Sequence, residues 1–377
     1  MRVVIAPDKF KGSATAAQAA TALAAGLRAA RPDLELIELP VADGGDGTVA
    51  AAVAAGYVPV PVSAEGPAGS PVLARYALRE GVAVVELAEV SGLRLIARTP
   101  DAMAPLTAST YGVGQVIAAA LDGGARTIVL GIGGSAGTDG GAGMVQALGA
   151  QLSDSLGRPL ARGGAALRDL AAIDLAGLDR RLGGVRLLVA SDVDSPLLGP
   201  SGAAAVFGPQ KGADQAQVAL LDRALARWAD LTRSATGRDL AAAPGAGAAG
   251  GTGFAALAYL NARLTSGIDL VLDLIGFPAA VAGAALVVTG EGRLDAQTLS
   301  GKAPAGVARA AARQSVPVVV VAGDVLLRDQ DLAAAGFAAA YSLADFEPDL
   351  ELRIAGVGQL LERAGRQLAA SPLLGAA

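Results

Sequence analysis

Lysine is rare in this chain, and each lysine lies in a polar, glycine-bearing stretch just after an apolar run. The four lysines are Lys9, Lys11, Lys211 and Lys302, whereas arginine supplies the other positive charges. An ammonium is a compact point charge on a flexible stem, and a guanidinium is a wide planar fork, so a tight phosphate or carboxylate site can require the ammonium. The lysines therefore predict sites that bind anions.

A glycine-dense segment, residues 131–143, follows an apolar run and precedes a helical pattern. Glycines let backbone N–H groups approach an oxyanion closely, and hydroxyl groups add further donors. Gly133, Gly134, Ser135 and Asp139 are the candidates here for contacts with a nucleotide. The segment has neither the Lys-Ser/Thr ending of a phosphate loop nor a GxGxxG fingerprint, so a tight turn is the alternative.

Acidic residues follow other apolar runs. Asp192 and Asp194 come after residues 185–190, spaced to project to one side, as a Mg²⁺ ligand pair or a general base would. An Asx turn is the alternative for this pair. Asp8 follows the first apolar run, and Asp43 follows the next.

The segment 289–304 combines Glu291, Arg293 and Asp295 with Lys302 and a proline that opens a helical pattern. We expect a strand, then a loop that carries the three charged residues, then a helix. A phosphate or its metal would fit such a loop, and a solvated charged loop is the alternative.

Composition excludes several classes of chemistry. The 377-residue chain has no cysteine and no histidine, so thiolate nucleophiles, imidazole bases and Cys- or His-ligated metals are all impossible. Aromatic residues make up only 3% and the net charge is −5, which argues against a nucleic-acid partner. The apolar run at the amino terminus, residues 3–6, is far shorter than the hydrophobic segment of a signal peptide, and the longest apolar stretches are too short to span a bilayer, so a cytoplasmic protein is expected.

The order of patterns predicts an α/β fold with parallel sheet. Short β-branched runs alternate with Ala-rich helical patterns, and a helix is expected over residues 15–30, capped by Ser13 or Thr15. Between residues 57 and 89 the pattern becomes strand-rich with several prolines, which indicates a second domain inserted into the first. We predict one domain from residues 1–60 plus 270–377, and another from residues 61–269. Residues 245–253 are predicted to form a hinge or loop, and a helix is expected from about Asp349.

Taken jointly, these segments resemble the type I glycerate kinase family, the bacterial enzymes that phosphorylate D-glycerate with ATP to give 2-phosphoglycerate. The resemblance runs through nearly the whole chain in consistent order. It is carried by Ala6-Pro-Asp-Lys-Phe-Lys-Gly-Ser13, Ala42-Asp-Gly-Gly-Asp-Gly-Thr48, Gly133-Gly-Ser-Ala136 with Asp139-Gly-Gly141, Asp192-Val-Asp194, Val206-Phe-Gly-Pro-Gln-Lys-Gly212, Thr289-Gly-Glu-Gly-Arg293 and Gly301-Lys302.

The resemblance implies two α/β domains, one flavodoxin-like and one restriction-enzyme-like. The chain departs from the family where Lys9 replaces a common Ser, where Gly137-Thr138 replaces Thr-Asn, and where Ser191 and Ser195 replace Cys and Asn. Lys9 is for this reason the lysine least expected to act in catalysis.

For this reaction we assign roles by chemistry, with ATP, Mg²⁺ and D-glycerate as ligands. Phosphoryl transfer needs positioning and charge neutralisation rather than covalent catalysis. The assignments are phosphate binding by Gly133, Gly134 and Ser135 with Asp139; charge neutralisation by Lys211 and Lys302; binding of the glycerate by Lys11, Arg293 and Asp43; general base catalysis by Asp192, with Asp8 as the alternative; and Mg²⁺ ligation by Asp43 and Glu291.

Other functions remain open from the sequence. A kinase of a related small hydroxy acid and a non-catalytic sensor of nucleotides or organic acids are the main alternatives. A dinucleotide-dependent oxidoreductase is disfavoured because the first run leads into Ala-Pro-Asp-Lys rather than a glycine fingerprint. A homo-oligomer is compatible with the sequence.

Overall fold

The computed structural model describes residues 1–96 and 103–375. Its contacts divide the chain into two compact units. The first unit contains residues 1–43, 50–56 and 268–377, and the second contains residues 44–49 and 57–267. The domain division predicted from the sequence stays a prediction, because contacts within one structure do not test which parts fold independently.

Both units are built from alternating strands and helices, so the chain is an α/β protein as predicted. The strands are β1 (Arg2–Pro7), β2 (Glu35–Glu38), β3 (Val58–Glu65), β4 (Pro71–Arg79), β5 (Val82–Glu86), β6 (Thr127–Gly131), β7 (Gln151–Asp154), β8 (Leu170–Asp174), β9 (Arg186–Ala190), β10 (Arg263–Thr265), β11 (Leu286–Leu294), β12 (Val318–Val325) and β13 (Phe337–Ser342).

The helices are α1 (Ala16–Ala30), α2 (Thr48–Ala54), α3 (Ala88–Ser91), α4 (Leu93–Ile96), α5 (Ala104–Thr107), α6 (Tyr111–Asp122), α7 (Ala142–Ala147), α8 (Ala203–Phe207), α9 (Gln215–Thr236), α10 (Ala248–Tyr259), α11 (Gly267–Leu274), α12 (Phe277–Val281), α13 (Ala303–Ala312), α14 (Asp329–Ala334), α15 (Leu350–Ala355) and α16 (Val357–Ala369). None of the helices in the described residues is long and apolar enough to cross a lipid bilayer.

The first unit contains a five-stranded parallel sheet in the order β13-β12-β11-β1-β2. Its central strands are apolar at successive positions, as expected for a parallel sheet that is covered on both faces. Successive side chains of a strand point to opposite faces, and Val3 and Ile5 accordingly pack in one core while Val4 and Ala6 pack in another.

The predicted first helix is confirmed as α1, and Thr15 caps it. The Thr15 hydroxyl accepts from the Gln18 N–H at 3.2 Å, and the Gln18 side chain accepts from the Thr15 N–H at 2.9 Å. This reciprocal capping box satisfies two of the N–H groups that a helix start leaves unpaired. It fixes where α1 begins, just after the polar segment that follows β1.

The second unit contains a six-stranded mixed sheet in the order β10-β9-β6-β5-β4-β3. Strands β5, β6, β9 and β10 run parallel, and β3 and β4 extend the sheet antiparallel beside β5. The strand-rich segment predicted between residues 57 and 89 is therefore confirmed. A separate two-stranded antiparallel sheet joins β7 and β8.

One local prediction was wrong. Glu291 and Arg293 lie within β11 rather than in a loop, because β11 continues to pair with β12 as far as the Leu294–Val325 pair. The loop predicted over residues 245–253 extends as far as Gly251. The bounds of α10 begin at Ala248, but Ala249, Gly250 and Gly251 have positive, non-helical φ angles.

Candidate functional site

The carboxyl ends of β1 and β11 form the charged end of the first unit. If the five strands of this unit are numbered along the chain, their spatial order is 2-1-3-4-5. The order reverses between β1 and β11, and ligands of open α/β sheets bind beyond the strand ends at such a reversal. Pro7 of β1 is paired there with Gly290 of β11, and the Asp8 N–H donates to the Gly290 carbonyl at 2.8 Å.

Asp8 is a buried carboxyl group, 7% exposed, at the end of β1. Its Oδ1 accepts from the Lys9 backbone N–H at 2.7 Å and lies 3.4 Å from the Lys9 ammonium. Burial raises the pKa of Asp8 to about 6, the nearby charge of Asp43 adds to the rise, and Lys9 opposes it. A carboxyl with such a pKa can exchange a proton near neutral pH.

Glu291 is the corresponding buried acid on β11, also 7% exposed. The Thr298 hydroxyl donates to its Oε1. Burial raises the pKa of Glu291 to about 7; the Thr298 bond and the charge of Lys302 lower it, while Asp8 and Asp295 raise it. The two strand ends thus carry two acids whose charges influence each other.

Asp295 lies between two cations. Its carboxylate oxygens are 3.7 Å from the Arg293 Nε and 3.9 Å from the Lys302 Nζ. Lys302 is the N-cap residue of α13, and Pro304 lies in the first turn of that helix as the sequence predicted. Arg293 is largely exposed. Both cations are weakly held and remain free to turn toward an anion.

Lys11 is exposed in the loop after β1, and its backbone N lies 3.2 Å from where a Cβ on Gly292 would stand. No carboxylate of the described residues lies within ion-pair distance of its ammonium. The first unit therefore brings Asp8, Lys11, Glu291, Arg293 and Lys302 to the ends of two neighbouring strands. Asp43 ends the first unit's segment after β2, and its charge acts on Asp8.

In the second unit, the glycine-dense segment follows β6 and leads to α7. Gly134 has a φ of +74°, which a residue with a side chain rarely adopts. A Cβ on Gly133 would stand 2.6 Å from the Cα of Gly45, so close packing requires glycine there. The backbone N–H groups of Gly134 and Ser135 have no acceptor among the described residues. Both can donate to an anion.

Asp139 holds this loop from inside rather than facing solvent, with only 1% exposure. Its carboxylate accepts from the backbone N–H groups of Thr110 at 2.8 Å, Gly141 at 3.0 Å and Gly143 at 3.2 Å, and from the Thr110 hydroxyl. Burial raises the pKa of Asp139, and these hydrogen-bond donors oppose the rise. Its bonds shape the loop.

Lys211 is buried as well, 7% exposed, and its ammonium donates to the Gly137 carbonyl. Burial lowers the pKa of Lys211 to about 7, and the charge of Asp139 opposes that shift. The Trp228 indole N–H donates to the Gly140 carbonyl at 3.0 Å. The segment 137–141 is therefore held by its own Asp139 and by Lys211 and Trp228 from two later parts of the chain.

Asp192 follows β9 at the same edge of the second unit's sheet. Its carboxylate oxygens each lie 3.2 Å from the Gly267 N–H, and the side chain is exposed. The second unit thus carries Gly133, Gly134, Ser135, Asp139, Asp192 and Lys211 on the loops that follow β6 and β9, or packed against those loops.

Two polar residues of these sites were missed by the sequence reasoning. Thr298 binds Glu291, and Glu86 ends β5 as a buried acid. The signal for Glu86 was present, since an acid closes the apolar run from Val82. Nothing local marked Thr298, because its role follows from how the chain turns back on β11.

The sequence was compared with known proteins. A sequence model described as the glycerate kinase family matches residues 3–372. A Bacillus subtilis (strain 168) protein named glycerate kinase is 46% identical over 375 residues, covering 98% of this chain and 97% of that protein. An Escherichia coli (strain K12) protein named glycerate 2-kinase is 41% identical over 383 residues, covering 100% and 99%.

Among solved structures, one described as glycerate kinase 2 from Salmonella typhimurium LT2 has a TM-score of 0.86 at 43% sequence identity. The match covers 100% of this chain and 99% of that one.

Proposed function

The chain belongs to the glycerate kinase family, and from that membership we propose that it transfers the γ-phosphoryl group of ATP to the C2 hydroxyl of D-glycerate, giving 2-phospho-D-glycerate and ADP. The observation that carries the proposal is the whole-length relationship to a protein named glycerate 2-kinase. Because ATP is a cytoplasmic substrate, the proposal places the enzyme in the cytoplasm.

We assign the first unit to the flavodoxin-like class and the second to the restriction-enzyme-like class. The all-parallel order 2-1-3-4-5 supports the first assignment, since it is the flavodoxin order. The second assignment rests on the family resemblance.

The glycine segment is the proposed phosphate site. The N–H groups of Gly134 and Ser135, which no acceptor of the described residues binds, support this role, because such groups stabilise phosphate oxygens without a side-chain charge. We give Asp139 an indirect role in ATP binding, since its oxygens already accept from loop donors. Lys211 neutralises phosphate charge in this proposal. The free-energy cost of keeping its ammonium charged in the interior is reduced when an anion is bound nearby.

In the transfer itself, the C2 oxygen of glycerate forms a bond to the γ-phosphorus as the bond to the β,γ-bridging oxygen breaks, and ADP leaves. The hydroxyl proton goes to a carboxylate. Asp192 is our first candidate for this base. Asp8 is the second candidate, because burial raises its pKa to about 6 and it can take up a proton near neutral pH. Lys302 neutralises charge on the transferred group.

Lys11 and Arg293 are the proposed partners of the glycerate carboxylate, and Asp43 of a glycerate hydroxyl. The exposure of Lys11 and Arg293 supports the assignment, because both cations are accessible to a small anion in water. A planar guanidinium can hold a carboxylate with two hydrogen bonds.

Asp43 and Glu291 are the proposed Mg²⁺ ligands. Carboxylate oxygens are the ligands that Mg²⁺ prefers, and it commonly takes one or two of them together with phosphate oxygens and water. No group of three or more acidic side chains in residues 1–96 and 103–375 is placed to hold a metal, which fits a site completed by the nucleotide. When bound, Mg²⁺ neutralises phosphate charge.

The test is ADP release from ATP and D-glycerate in the presence of Mg²⁺, with the position of the phosphate read by ³¹P and ¹H NMR. We expect a 2-phosphorylated product and no ADP without glycerate. Binding of ATP without turnover would favour the sensor, and faster turnover of another hydroxy acid would favour a related kinase.

A further inference from the structure

Glu86 is the most buried acid at a strand end that the proposed reaction leaves without a role. It is the last residue of β5 and only 2% exposed. Strand β5 pairs in parallel with β6, and Glu86 lies opposite Gly131, the first residue of the glycine segment. Burying a carboxyl group costs free energy unless hydrogen bonds or nearby charges replace its lost hydration.

The carboxylate binds a loop from a distant part of the sequence. Glu86 Oε2 accepts from the Gly47 N–H at 3.1 Å and from the Val49 N–H at 3.2 Å. These donors lie at the start of α2, where a helix has unpaired N–H groups and favours negative charge. The segment 44–49, here called the acidic loop, is thus held to the end of β5.

The acidic loop packs in turn against the glycine segment. The Gly133 N–H points to the Gly44 carbonyl at 3.5 Å, and a Cβ on Gly133 would stand 2.6 Å from the Cα of Gly45. A Cβ on Gly131 would stand 2.7 Å from the Gly44 carbonyl oxygen. Any shift of the acidic loop must therefore move or release Gly133.

Charged groups surround Glu86 unevenly. Burial raises the pKa of Glu86 to about 7; Asp46 on the acidic loop and Glu89 on α3 add to the rise, while the two backbone donors lower it. Arg94 on α4 offsets the acids, since it pairs with Asp46 at 2.5 Å and with Glu89 at 3.8 Å. A neutral carboxyl group would keep an acceptor oxygen for both backbone donors.

We propose that Glu86 is a positioning residue for phosphoryl transfer, which fixes the acidic loop against Gly133 and thereby sets the geometry of the N–H groups of Gly134 and Ser135. The inference rests on the proposed function. The positioning role requires a side chain at position 86 that is long enough to place an acceptor atom at the Gly47 and Val49 N–H groups. It does not require a negative charge.

Four variants separate these requirements. Glu86→Gln keeps reach and an acceptor but removes the charge. Glu86→Asp keeps the charge but is one methylene too short, and Glu86→Ala removes both. Glu89→Gln is the matched control, because it removes a neighbouring negative charge without touching the backbone of the acidic loop.

The first measurement is amide hydrogen exchange at Gly47 and Val49, which needs no activity. We expect exchange about tenfold faster in Glu86→Ala and Glu86→Asp, and wild-type protection in Glu86→Gln and Glu89→Gln. The second is steady-state kinetics with ATP and D-glycerate. We expect the KM for ATP to rise about tenfold in the same two variants, with Glu86→Gln within about threefold of wild type.

Unchanged amide exchange at Gly47 and Val49 in Glu86→Asp would overturn the contact between Glu86 and the acidic loop. This variant still provides the test if Glu86→Ala fails to fold. Faster exchange with unchanged kinetics would overturn the positioning role. A Glu86→Gln variant with protected amides but activity as low as Glu86→Ala would do so too, because the charge would then matter by itself. If wild type does not turn over glycerate, the proposed function fails, while the exchange result still decides the loop contact.

Discussion

At the scale of single residues, burial changes what the acids of this chain can do. Asp8 follows β1, Glu86 closes β5 and Glu291 lies within β11. Each is less than a tenth exposed, and each has a raised pKa. Desolvation is the largest cause in all three, so water is excluded from the strand ends where they lie. Perturbed acids of this kind are concentrated in functional sites, although ion-pair networks produce them too.

Lys302 allows the most direct test at this scale. Lys302→Ala should lower kcat by about 10²-fold or more, since a charge that stabilises the transferred group acts in the transition state. Among the described residues, its ammonium forms one ion pair, a long one with Asp295 at 3.9 Å, so folding should be unaffected. Steady-state kinetics and the circular dichroism spectrum check both expectations.

Lys302→Arg is the matched control for that variant. It keeps the positive charge but replaces a compact ammonium with a wide fork, and we expect it to recover only part of the activity. Near-normal turnover by Lys302→Ala would remove this lysine from the transition state.

The choice of base can be made with Asp192→Asn and Asp8→Asn. Asparagine keeps the shape of the side chain but cannot take up the hydroxyl proton. The variant of the true base should lose about 10²-fold or more in the single-turnover rate at saturating ATP, with little change in ATP affinity. If Asp192→Asn alters only KM, the assignment passes to Asp8.

At the scale of elements, the crossing of α1 and α16 depends on glycine. A Cβ on Gly26 would stand 2.0 Å from the Glu362 carbonyl oxygen, and a Cβ on Gly365 would stand 2.4 Å from the Leu23 carbonyl oxygen. Both obstacles are backbone atoms, which cannot rotate away as a side chain can. The two helices therefore pack at a distance that no larger residue allows.

Gly26→Ala should consequently destabilise the protein by about 1–3 kcal/mol, the usual cost of overpacking. Gly358→Ala is the matched control in α16, because a Cβ there meets no atom within 4 Å. We expect Gly358→Ala to be neutral or to stabilise by up to about 1 kcal/mol through helix propensity. Urea denaturation of the two variants measures the difference, and equal effects would contradict the packing argument.

At the scale of the whole molecule, local sequence patterns predicted the strands and helices better than they predicted the long-range contacts of those elements. The strand runs and the helix after Thr15 were predictable, because apolar periodicity and capping are encoded within a few residues. The extension of β11 through Arg293 was not, because its cause is pairing with β12, a later part of the chain. The contacts of Glu86 were not predictable either, since its donors are 37 and 39 residues away.

The pH dependence of stability follows from the buried ionisable groups of both units. The folded-state pKa values of Asp8, Glu86 and Glu291 lie above their unfolded values, so the folded chain binds more protons between about pH 4 and pH 7. Their contribution to stability is therefore present at low pH and is lost as the pH rises through 6 to 7. Lys211, lowered to about 7, has the opposite sign, because its contribution increases from about pH 7 toward the unfolded value of 10.5.

Together these four groups predict that their summed contribution to the stability of the folded state is smallest near pH 7 to 8. Glu86→Gln should remove the part of this contribution that is lost between about pH 4.5 and pH 7, which is at most about 3 kcal/mol for a shift of this size. The variant should thus unfold at a higher urea concentration than wild type at pH 8 and at a similar one at pH 4.5. An equal difference at the two pH values would mean that Glu86 does not gain its proton on folding, because only a pKa that differs between the folded and unfolded states makes stability depend on pH.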